Sequence, residues 1–134
     1  MSGTIRPYQA FAELAIHSVE RRVDLTRNAE PFASLDELRE FWRGARELVR
    51  HLPAGEYGVL TDLREVTGRT DDEFERLMME LRGPFYDVFR RSAIVVRTRA
   101  GQLHVFGQSE ANRPPTGVFY EMGQALDWLA GHDD

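Results

Sequence analysis

Residues 34–63 read SLDELREFWRGARELVRHLPAGEYGVLTDL, and they hold one helix, one break and one strand in direct succession. Ser34-Leu35-Asp36-Glu37 is a capping box, in which the serine hydroxyl accepts from the Glu37 amide and the Glu37 side chain reaches back. Behind it Leu35, Leu38, Phe41, Trp42, Ala45, Leu48, Val49 and Leu52 recur at helical spacing and make a single apolar stripe. Asp36, Arg39, Glu40, Arg43, Glu47 and Arg50 fill the opposite face. Pro53 and Gly55 end the helix. Tyr57 to Leu63 then has the length and composition of a buried strand, with Val59 and Leu60 at its centre.

The same alternation extends in both directions. Ahead of the helix, Gln9 to Val19 and Arg22 to Thr26 read as two antiparallel strands with a turn near Glu20; Val23 and Leu25 alternate with Arg22, Asp24 and Thr26. Downstream, Thr70-Asp71-Asp72-Glu73 is a second capping box. Phe74, Leu77, Met78, Leu81, Phe85, Val88 and Phe89 follow it at helical spacing, and Gly83-Pro84 predicts a kink or break, because Pro84 cannot donate to the Glu80 carbonyl. Ala93 to Val96 is a continuous apolar run, as in strands covered on both faces. Leu103 to Phe106 fits a short helix or a strand, Gln108 to Gly117 a loop, and Val118-Phe119-Tyr120 a last strand. Met122, Ala125, Leu126 and Leu129 make a final helix closed by Gly131. The order is β-β-α-β-α-β-(α)-β-α, an α/β class with a mixed, partly parallel sheet and helices packed against it. One domain over residues 8–131 is expected, with 1–7 and 132–134 as flexible ends.

Bulk properties narrow the function. The chain has 134 residues, net charge −5 and no cysteine, so disulfides, thiolate chemistry and cysteine-based zinc sites are excluded. All 17 basic residues are arginine, but they are interleaved with acids, and no basic face points to nucleic acid. The N-terminus lacks the apolar core of a signal peptide and no apolar run approaches the ~20 residues of a membrane span, so a cytoplasmic protein without membrane insertion is expected. His17, His51, His104 and His132 are scattered without metal-ligand spacing. No phosphate loop, nucleophile elbow or zinc motif is present, so neither an enzyme nor a cofactor or metal is expected.

Two stretches resemble the STAS domain class, the anti-sigma-factor-antagonist-like regulators of bacteria. Val59-Leu60-Thr61-Asp62-Leu63-Arg64-Glu65-Val66-Thr67 is similar to the strand and turn before that class's second helix. Val118 to Leu129, with Glu121, Ala125, Leu126, Trp128 and Leu129, is similar to its closing strand and helix. The resemblance implies a regulatory module that binds a protein partner through the second helix and the loop after Leu63. It implies a switch serine, preceded by aspartate, at the start of that helix. Matching Asp62 and Val66 places Thr70-Asp71 there, so a carboxylate stands where the serine is expected. Asp71 then holds a permanent charge, or Thr70 is a displaced phosphoacceptor.

Each of these residues also has a plain structural reading. Thr70 caps a helix, Asp71 complements the helix dipole, and Asp62, at the carboxyl rim of a central strand, bonds to loop amides. Asp62, Thr67, Thr70 and Asp71 are the candidate partner-binding or regulatory residues. Two other classes compete: a small apolar-ligand binder with a pocket near Gly83-Pro84, Met78 and Met79, and a homodimer whose role is assembly.

Overall fold

The computed structural model describes residues 5–8, 12–27, 34–65, 72–98 and 115–131. Among them, six strands and three helices follow the order β1 (Ile5–Tyr8), β2 (Ala12–His17), β3 (Arg22–Arg27), α1 (Leu35–Val49), β4 (Gly58–Asp62), α2 (Asp72–Tyr86), β5 (Arg91–Val95), β6 (Thr116–Phe119) and α3 (Met122–Ala130). The strands form one sheet in chain order. β1, β2 and β3 pair antiparallel, whereas β3–β4, β4–β5 and β5–β6 pair parallel. The mixed α/β sheet expected from the sequence is the one observed.

The register assigns each side chain to a face. Leu14 sits opposite Leu25, Val23 opposite Val59, and Thr61 opposite Ile94, so these residues share one side. α1 and α2 pack there. Val23, Leu25, Leu38, Phe41, Val49, Val59 and Phe85 are at most 1% exposed and form the main core. Rings interlock across it: Trp42 lies 5.4 Å from Phe85, and Phe85 lies 5.0 Å from Tyr86 and 5.3 Å from Phe89. On the other side α3 covers Leu60, Ala93 and Val95 with Ala125 and Leu129.

Local chemistry sets the element ends. The Glu37 amide donates to Ser34 Oγ at 3.2 Å, as the capping box requires. α3 ends at Gly131, whose φ of +83° is the left-handed conformation that glycine tolerates. Arg90 and Arg91 add guanidinium donors to the Leu129 and Trp128 carbonyls, placing cations at the negative end of that helix. Close approach dictates Gly117, where a Cβ would lie 2.7 Å from the Phe119 ring.

The structure departs from the sequence reading in four places. Ile5–Tyr8, expected to fall mostly in a flexible end, adds an edge strand, where Pro7 is tolerated. α2 does not break at Gly83-Pro84 but continues to Tyr86. Only the Glu80 carbonyl loses its donor so near the helix end, and the Asp87 amide still reaches the Gly83 carbonyl at 2.9 Å. The last strand begins at Thr116, inside the expected loop, and ends at Phe119. The first strand is shorter than Gln9–Val19 and ends at His17. The ambiguous element at 103–106 lies outside the described residues.

Candidate functional site

Asp62 closes β4 at the carboxyl rim of the sheet. Its Oδ1 accepts from the Arg64 amide at 3.0 Å and from Arg64 Nε at 3.0 Å, and its Oδ2 accepts from an Arg64 terminal nitrogen at 2.8 Å. Burial alone would raise this carboxyl's pKa, but the bonds from Arg64 outweigh that and hold it below the ordinary carboxylate value. The Arg64 guanidinium is held correspondingly more basic by the same pair. Asp62 thus fixes how the chain leaves the sheet, the role its plain reading predicts. Thr67, Thr70 and Asp71 lie outside the described residues, so of the four candidates the structure places Asp62 alone.

Behind Asp62, on the helix-packed side, lies a polar cluster that the sequence did not signal. The phenol of the half-buried Tyr86 shares a 2.7 Å hydrogen bond with Thr61 Oγ1. Arg27 ends β3 at 8% exposure, and Arg82 stands one turn before Tyr86. Burial lowers the pKa of both guanidiniums, and proximity to the phenol works against that shift. Burial pushes the Tyr86 phenol up, opposed by Thr61 and the two cations. Thr61 reads as an ordinary strand residue, Arg27 lies just past the strand expected over Arg22–Thr26, and Tyr86 falls off the apolar stripe of α2. The available signal was that all three occupy core-facing positions while carrying polar ends.

A third feature is the groove between α1 and α2, about 830 Å³ in volume. Arg39, Arg43, Arg46 and Arg50 line its α1 wall, with Glu47 and His51 beside them. Trp42, Leu81 and Pro84 supply its apolar surface, and Glu80 its α2 wall. Three of these arginines form exposed i,i+3 pairs on α1: Arg39 with Asp36, Arg43 with Glu40, and Arg50 with Glu47. Arg46 belongs to none of these pairs. The sequence reading placed Arg39, Arg43 and Arg50 on the solvated face of α1 but did not single out the stripe. The four arginines recur at steps of four, three and four, which puts them on one line.

The open half of the α3 side is polar. There His17 Nε2 lies 3.1 Å from Asp24 Oδ2, and Arg22 Nε lies 2.7 Å from Asp24 Oδ1. Among the described residues no group of three or more His, Asp or Glu side chains is arranged to hold a metal ion. Among them, too, no helix is long and apolar enough to cross a membrane.

Comparison with solved structures places this architecture. The chain matches an uncharacterized protein of the DUF3478 family from Shewanella loihica PV-4, a protein described as having a SpoIIAA-like fold. The TM-score is 0.63 at 14% identity, over 96% of this chain and 95% of that one. No family model and no curated protein matches the sequence. The fold of this chain is therefore SpoIIAA-like, which is the STAS-like fold that the two sequence stretches resemble.

Proposed function

We propose that this chain is a non-enzymatic, cytoplasmic regulatory module that binds a protein partner through the loop after Leu63 and the exposed side of α2. The observation that carries this reading is the SpoIIAA-like fold along 96% of the chain, a fold that is typically not catalytic. The local geometry agrees with it. Asp62 anchors the departing loop, and Glu73 and Arg76 are exposed on α2 together with Met79. On this reading Thr67, Thr70 and Asp71 belong to the docking surface. Asp71 supplies a permanent negative charge where the family has a phosphorylatable serine, or Thr70 takes the phosphate.

The competing readings find less support. An apolar-ligand site near Phe85 needs space there, yet Phe85 is fully buried among Trp42, Tyr86 and Phe89. The opening beside Pro84 is lined by arginines. An assembly interface would gather exposed apolar residues, but among the described residues Val19 stands in the β2–β3 turn, Met79 on α2 and Tyr120 just after β6.

Native mass spectrometry of the chain purified from its own host tests the proposal. A stoichiometric complex with another protein, weakened by Asp71→Arg or by Thr70→Val, is the expected result. A homodimer, an apolar small-molecule adduct, or a complex indifferent to both substitutions overturns it.

A further inference from the structure

No further inference is drawn: the strongest candidate, the polar cluster of Arg27, Thr61, Arg82 and Tyr86 where β3, β4 and α2 meet, carries nothing, because its two hydroxyls bond each other and both guanidiniums already have interactions within the chain, so nothing in the structure shows a group there that a ligand would satisfy.

Discussion

The two sides of the sheet are built differently. The side under α1 and α2 is apolar across β2, β3 and β4 and is filled with interlocked rings. The other side is apolar under α3, across β4 to β6, and polar over β2 and β3, where Glu13, His17, Arg22, Asp24 and Thr26 stand. The same alternation is therefore legible in β3 and absent from β5. Val23 and Leu25 are buried while Arg22, Asp24 and Thr26 are not, whereas Ser92 to Val96 are buried throughout. A strand covered once keeps its period of two; a strand covered twice loses it. Helix coverage, more than strand propensity, wrote the sequence pattern.

The sharpest way to break this comparison is to empty one site on each side. Phe85→Ala removes a fully buried ring that touches three others, and should cost about 3–5 kcal/mol. Leu129→Ala, under the smaller cluster, should cost about 2–3 kcal/mol, at the low end for leucine. Urea unfolding followed by circular dichroism measures both. Equal losses would mean that the two clusters contribute alike and that the asymmetry is one of area only.

A smaller effect tests whether the ring-filled side tolerates its polar insert. Tyr86→Phe deletes one partner of the Thr61 hydrogen bond and leaves a buried hydroxyl, for a loss of about 1–2 kcal/mol at neutral pH. Its pH dependence has a definite sign. The phenol's pKa is raised in the fold, so its contribution is intact below the unfolded value of about 10 and lost as pH rises above it. The wild type should therefore lose stability above about pH 10 faster than Tyr86→Phe, and parallel curves would show that the phenol does not titrate on unfolding.

Much of this was legible from local signals. α1 was written twice, in the Ser34 cap and in a stripe whose Leu38, Phe41, Ala45 and Val49 are all at most 1% exposed. β4 and β5 were written as apolar runs, and α3 by its spacing and Gly131. β1 was not, because Ile5-Arg6-Pro7-Tyr8 is only four residues long and holds a proline, which argues against a strand. Of the four candidate residues, Asp62 is legible as the acid at a strand end, where the structure bonds it to Arg64. The Arg27–Thr61–Tyr86 cluster was missed because it assembles from three elements whose residues are unremarkable singly. The groove has no signal of its own in the sequence, because the arginines of α1 alternate with Asp36, Glu37, Glu40 and Glu47 as on any solvated helix face.

Asp62 stands on the α3 side at the point where apolar cover gives way to the polar half, next to Thr26 in the register. Its carboxylate is held below the ordinary pKa by Arg64, so its contribution to stability is present above the unfolded value near ~3.9 and lost as pH falls through the lower folded value. The partner guanidinium is substantially exposed, so water screens the pair and the contribution should stay below about 1 kcal/mol. Asp62→Asn keeps one acceptor for the Arg64 amide but loses the charged fork. Unfolding at pH 7 should show the variant slightly less stable than wild type, and at pH 2 the two should converge. A loss well above 1 kcal/mol at pH 7 would mean that this rim belongs energetically to the buried side, and that the division between the two faces ends before the end of β4 rather than at it.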